Sequence, residues 1–257
     1  MRDQGLQEAI NAVGGVSELA RRIGISQPSV SNWDRVPAER VVSVESVTGI
    51  NRTILRPDLF GVEAGGDVDE VDVARAQEYA LLAALLARAP DADLLTRVGE
   101  LRGDASPLGL AHVALAQAAQ ATTAERVERE YFNLFIGLGR GELLPYGSYY
   151  LTGFLHERPL ARLRGDLRQL GIERAEDEHE PEDHAAILCE IMAGLASRRF
   201  GAEAGADRDM FEKHLAPWIG RFFADLERAA AADFYRRVGT LGRVFFEIET
   251  EAFALPT

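Results

Sequence analysis

Cysteine is almost missing from this chain. Cys189 is the only one, which excludes an internal disulfide within one chain and fits a reducing compartment. Lysine is just as scarce: Lys213 stands alone, so nearly every basic side chain is an arginine. No apolar run approaches the roughly 20 residues that span a bilayer. No stretch alternates apolar and polar residues as a half-buried strand does, and no internal repeat recurs at a fixed period. The opening residues, MRDQGLQEAI, lack the uninterrupted apolar core of a secretory signal. Together these absences exclude a disulfide-stapled secreted domain, a membrane span and a sheet-based fold. They leave a cytoplasmic, all-α protein.

The 257 residues are 47 % hydrophobic and 27 % charged, an ordinary globular balance for one large domain or two smaller ones. The net charge of −13 is unevenly placed. Residues 1 to 60 carry seven Arg against seven Asp plus Glu, so the whole excess lies further along the chain. An acidic body repels nucleic acid and favours basic partners.

The stretch GVEAGGDVDEVD, residues 61 to 72, is glycine-rich and acidic and separates two textures. It reads as a linker over 61–71 between a small domain, 1–60, and a larger one, 72–257. In the larger domain, VARAQEYALLAALLAR and ATTAERVEREYFNLFIGL read as amphipathic helices. Phe211, Leu215, Trp218, Phe222 and Leu226 share the spacing of one helix face, as do Phe234, Val238, Leu241, Phe245 and Ile248.

In the small domain, VSELARRIGISQPSVSNW (residues 16–33) has the layout of a helix-turn-helix. Ala20 is small where two helices cross, and Gly24 suits a left-handed turn. Ser26 is placed to cap the second helix, with Pro28 in its first turn. Val30 and Trp33 then point inward, leaving Gln27, Ser29, Ser31 and Asn32 outward with side chains able to read base edges. Arg21, Arg22, Arg35 and Arg40 could meet phosphates, although the zero net charge counts against strong binding. Over residues 5–60 this segment resembles the Cro-like and YdaS-like helix-turn-helix modules of bacterial regulators. That resemblance implies DNA as a partner.

The larger domain holds an odd loop, LLPYGSYYL (residues 143–151), where helix-breaking Pro145 and Gly147 are crowded by Tyr146, Tyr149 and Tyr150. A loop meant only to turn the chain is small and polar. With EYFNLFIGLGRGELLPYGSYYL, EPEDHAAILCEIMAGL and HLAPWIGRFFADLERAAAADFY in this order, residues 72–255 resemble the TorD/DmsD family of molybdoenzyme maturation chaperones. The paired Pro-aromatic-Gly-Ser and Glu-Pro-x-Asp-His motifs carry that resemblance. Tyr146 stands where many leader-binding relatives carry Trp. The resemblance implies a helical, non-catalytic chaperone, monomeric or homodimeric. Its client would be an apo-molybdoenzyme, formate dehydrogenase or a related oxidoreductase, which it holds until the molybdenum cofactor is inserted. Some relatives bind the client through a twin-arginine leader peptide.

The residues themselves suit that task. Tyr131, Phe135, Pro145, Tyr146, Gly147, Ser148 and Tyr150 can wall an apolar groove, and Glu182, Asp183 and His184 can face the guanidiniums of a leader. Exposed ion pairs contribute only about 0.2–1 kcal/mol each. Burying ~400 Å² of apolar leader is worth about 10 kcal/mol before the costs of association, so the aromatics should set affinity. Blander readings exist beside this one. Acids after Pro181 suit any helix start, His184 suits a satisfied polar site under the loop, and Tyr131 with Phe135 suits simple core. EDEHEPEDH invites a metal reading, but Pro181 keeps His179 and His184 off one helix face, and no cofactor motif is legible. A second reading of the whole chain is a transcriptional regulator with the TorD-like domain as its sensor.

Overall fold

The computed structural model describes residues 3–56, 69–174 and 180–255. The chain divides into two compact units, Met1–Asp67 and Val68–Thr257. Both are all-α. The described residues contain no strand, and their one extended pairing is an isolated antiparallel bridge between Tyr146 and His184. Most of the predicted linker, residues 61 to 68, lies outside the described residues. Its end differs from expectation: Asp69 caps a helix that already runs from Glu70.

The small unit comprises α1 (Gln4–Val13), α2 (Val16–Arg22), α3 (Gln27–Ser31), a 3-10 turn at Ala38–Arg40, α4 (Val41–Thr48) and α5 (Arg52–Leu55). Asp3 caps α1 by accepting from the Leu6 N–H at 2.9 Å. Leu6, Ile10, Leu19, Ala20, Val30, Val41, Val44 and Leu55 form its core, with Trp33 half-buried against them. Gly24 adopts φ 72° between α2 and α3, the left-handed turn that glycine permits.

The larger unit begins with α6 (Glu70–Ala87), α7 (Ala92–Gly99), α8 (Pro107–Gln120) and α9 (Ala124–Tyr131), which runs into a π-helical turn at Phe132–Ile136. Short α10 (Gly147–Thr152) and α11 (Arg158–Gln169) follow, then α12 (Ala185–Ala196) and α13 (Ala206–Met210). A second π-helical turn, Phe211–Leu215, leads to α14 (Ile219–Arg228) and the long α15 (Phe234–Ala254). Almost every residue of α12 is buried, as expected of a helix that is apolar all round, and α6 is its main partner. Helices α14 and α15 cross closely because Gly242 leaves room for the Phe223 ring, which a Cβ there would overlap.

Two periodicity readings need correction. Phe211, Leu215, Trp218, Phe222 and Leu226 are all buried, yet they do not share one helix: the π-helical turn and a break before Ile219 divide them. On α15, Ile248 is 43 % exposed, and its neighbour Glu249 is buried instead. Arg75 explains that inversion. Its guanidinium grips both Glu249 oxygens at 2.8 and 3.0 Å, and the Tyr79 hydroxyl adds a third bond at 2.7 Å. A buried carboxylate so fully satisfied is tolerated. No helix among the described residues is long and apolar enough to cross a membrane.

Candidate functional site

The odd loop is built into the fold by a pairing with the Glu-Pro-x-Asp-His segment. The Ala185 N–H donates to the Pro145 carbonyl at 2.8 Å, and the Gly147 N–H donates to the Asp183 carbonyl at 2.9 Å. Neighbours in an extended segment point to opposite sides. Tyr146 and His184 therefore share one face, with rings 5.0 Å apart edge to face, while Gly147 and Asp183 share the other.

On the first face lies a cleft of about 310 Å³ lined by Tyr131, Phe135, Pro145, Tyr146 and His184, with Ala87, Arg88, Ile136 and Glu180. Five of the predicted site residues converge here. Phe135 reaches the cleft from the π-helical turn, a conformation frequent at functional sites. Its ring stands 5.0 Å from that of Tyr131 and 5.4 Å from that of Tyr235. The Tyr131 hydroxyl donates to the carbonyls of Leu86 and Ala87, both at 3.2 Å, at the end of α6. Burial, and then the Glu180 charge, push its phenol up to about 12. Tyr146 donates to Glu180 at 2.6 Å, and burial and that carboxylate raise its phenol further. Both tyrosines thus act as neutral donors with a polar end and an apolar body. His184 is buried and accepts from the Ala186 N–H through Nδ1, capping α12.

The other predicted residues do not line this cleft. Asp183 is 3 % exposed, and its Oδ2 accepts from the Ser148 N–H at 2.7 Å. Asp183 thus caps the first turn of α10 from a buried position. Glu182 is bound by Arg164 at 2.7 Å. Burial works against its charge, but Arg164, its own N–H and Arg174 outweigh that and hold the carboxyl below its ordinary value. Gly147 lies against Trp218, where a Cβ would sit 3.0 Å from Nε1, and Ser148 is fully buried. Tyr150 packs 5.5 Å from the Trp218 ring and donates to Asp225 at 3.1 Å. Gly147, Ser148, Tyr150, Glu182 and Asp183 therefore support the wall or point elsewhere.

In the small unit, Arg21, Arg22, Gln27, Ser29, Asn32 and Arg35 are exposed and Ser31 is half-buried. Several are engaged with one another. Arg21 and Arg22 both bind Glu18, at 2.6 and 2.8 Å, and these bonds hold its carboxyl at about 2. Gln27 donates to Ser31 at 2.8 Å. Ser26 occupies the cap position of α3 without capping it; its hydroxyl pairs with that of Ser29 at 2.7 Å instead. Among the described residues no group of three or more His, Cys, Asp or Glu is placed to hold a metal ion. His179 and the acids just before it lie outside the described residues.

Comparison with known proteins gives matches to both units. Residues 102–224 match the family described as nitrate reductase delta subunit, and residues 6–63 match that described as bacterial toxin YdaS. The chaperone protein TorD of Vibrio cholerae is 28 % identical over 127 residues, covering 46 % of this chain and 58 % of that protein. A protein of Haemophilus influenzae named "Probable Tat proofreading chaperone DmsD" is 28 % identical over 119 residues, covering 46 % of this chain and 57 % of its own. The larger unit is similar to the TorD and DmsD chaperones. A solved structure of a redox enzyme maturation protein from Archaeoglobus fulgidus overlays on 66 % of this chain and 93 % of its own, with a TM-score of 0.47 and 23 % identity. The chain spans less than two thirds of the length of the two curated relatives. Both carry the names of chaperones and not of catalysts, in agreement with the expectation of a non-enzyme.

The TorD-like unit also holds residues in and behind the cleft that were not expected from the sequence. Glu180, at the head of the Glu-Pro-x-Asp-His motif, is the carboxylate in the cleft, and motif membership was the signal that could have found it. Tyr235 is fully buried on α15 behind the cleft, packs against the rings of Tyr131 and Phe135, and donates to the Leu85 carbonyl at 2.8 Å. It is set there by Glu130, whose carboxylate accepts from the N–H groups of Asp233, Phe234 and Tyr235 at 2.8, 3.1 and 2.7 Å. No local pattern announces that bond across more than a hundred residues.

Proposed function

We propose that the TorD-like unit is a cytoplasmic maturation chaperone whose aromatic cleft holds a segment of an apo-molybdoenzyme. The convergence of Tyr131, Phe135, Pro145, Tyr146 and His184 with Glu180 on one cleft carries this reading. The rings offer rigid apolar surface with little side-chain entropy to lose, and Glu180 with the two phenols offers polar anchors. The leader peptide of an exported client is one segment of suitable chemistry: an arginine beside Glu180, then apolar residues over Phe135 and the exposed Ile136.

A labelled synthetic peptide of arginine followed by leucine and phenylalanine, titrated against the full chain by fluorescence anisotropy, tests this. Phe135→Ala and Tyr146→Ala should each weaken binding about tenfold or more, as central aromatic anchors do. Near-UV circular dichroism and melting check that the variants remain folded. Unchanged affinity in folded variants would remove the cleft from the mechanism. A second reading, an operator-binding regulator, is favoured by the α2–Gly24–α3 geometry of the small unit.

A further inference from the structure

Helix α15 starts at a capping residue that it does not use. Asp233 stands where an aspartate ordinarily binds the first N–H groups of a helix, yet its side chain makes no capping hydrogen bond. Glu130, near the end of α9, takes that place: its carboxylate accepts from the N–H groups of Asp233, Phe234 and Tyr235. Glu142 does the same a few residues earlier, accepting from the N–H groups of Ala230 and Ala231 at 2.7 and 3.0 Å. Both glutamates thus bind the turn between α14 and α15, and they flank the stretch that carries Tyr131, Phe135 and Ile136. That stretch is also closed on itself. The Gly137 N–H donates to the Phe132 carbonyl at 2.7 Å and the Leu143 N–H to the Leu134 carbonyl at 2.8 Å, while Gly141 lies so close to the Phe135 backbone that a Cβ would overlap it. Ile136 and Leu138 nevertheless remain exposed on it, at 54 % and 98 %. Capping α15 would need only Asp233. What the distant carboxylates add is the fixing of a stretch that keeps apolar side chains towards water beside the cleft.

Resting on the cleft as the client site, we infer that Glu130 and Glu142 are positioning residues for client binding. They hold Tyr131, Phe135 and Ile136 in place before the client arrives, so association need not order them. Ordering a mobile side chain on binding lowers affinity by a factor of about two to ten, and that is the loss expected when either carboxylate is removed.

The labelled arginine–leucine–phenylalanine peptide is titrated against the full chain and its Glu130→Ala, Glu130→Gln, Glu142→Ala and Glu227→Ala variants, with melting curves for each. Glu227 is the control. Its carboxylate also joins α14 to α15, accepting from Thr240 and Arg243 at 2.8 and 2.9 Å, but it binds nothing in the 131–141 stretch. Glu130→Ala and Glu142→Ala should each weaken binding about two- to tenfold, and Glu130→Gln, which keeps an acceptor oxygen, should recover part of the loss. Glu227→Ala should lower the melting temperature and leave affinity unchanged. In a Phe135→Ala background, Glu130→Ala should cost clearly less than it does alone, because the ring it places is gone. Full affinity in folded Glu130→Ala and Glu142→Ala, an equal loss in Glu227→Ala, or strictly additive losses with Phe135→Ala overturns the positioning role. If Tyr146→Ala still weakens binding in that case, the cleft stands and only the positioning role falls. Should the peptide not bind the unaltered chain, both readings fall together.

Discussion

The Asp183 carboxylate is 3 % exposed and ties the first turn of α10 to the Glu-Pro-x-Asp-His segment through the Ser148 N–H. Replacing it with alanine leaves that buried N–H without an acceptor, at a cost of about 1–3 kcal/mol. Asp183→Asn keeps one oxygen in place and should cost less. Thermal melting of the two variants checks this; equal melting temperatures would mean that water reaches Ser148 after all. Peptide affinity should follow the same order, because Gly147 and Tyr146 share the wall that Asp183 holds. The motif itself was legible as a unit, but its division of labour was not. Which of Glu180, Glu182 and Asp183 reaches the cleft depends on the register of 145–147 against 183–185, and a one-residue slip would exchange the faces. That register is fixed by two backbone hydrogen bonds between segments far apart in sequence.

Helix α6 is bonded to α8 by a half-buried pair, the His112 Nε2 and Glu78 Oε2 at 2.9 Å, with Asp104 nearby. The Glu78 bond raises the His112 pKa above its ordinary 6.5 against the opposing effect of burial, and the charges of Glu78 and Asp104 add to it. A histidine raised in the folded state stabilises most fully below its unfolded pKa, and that contribution is lost as pH climbs through the raised value. Melting of the full chain should therefore fall between about pH 6 and about pH 9 by more than melting of His112→Ala does. Parallel curves would show that the pair does not titrate in this range. At this scale the sequence was a good guide to which segments are helical, since the 3.6-residue spacing of apolar side chains is the burial pattern itself. It missed both π-helical turns. These are one-turn adjustments, made where the Phe135 ring meets Tyr235 and where the His214 Nε2 bonds the Asp166 carboxylate at 2.7 Å, and no local propensity marks them.

The two units differ in charge as well as in fold: residues 1–60 are neutral, and the acidic excess lies entirely beyond them. The separation into two cores was legible because a glycine-rich acidic stretch divides two textures, whereas the state of the arginines was not, because it depends on side-chain geometry. Arg21 and Arg22 both spend their guanidiniums on Glu18, which lowers what they can offer phosphate. Glu18→Ala should release them, so the variant should bind duplex DNA more tightly at every sequence, with a salt slope steeper by about one to two. Arg22→Ala should weaken binding to all sequences alike, while Gln27→Ala or Asn32→Ala should relax preference among them. The acidic larger unit repels DNA, so residues 1–67 alone should bind more tightly than the full chain. A gel-shift titration decides, run at low salt with the DNA upstream of the coding sequence against random duplex, with and without a cleft-binding peptide. If the peptide shifts DNA affinity, DNA must shift peptide affinity by the same factor, and the regulator reading gains its coupling. If neither the fragment nor the full chain prefers the upstream DNA, even with Glu18 removed, the helix-turn-helix serves another purpose and the regulator reading is abandoned.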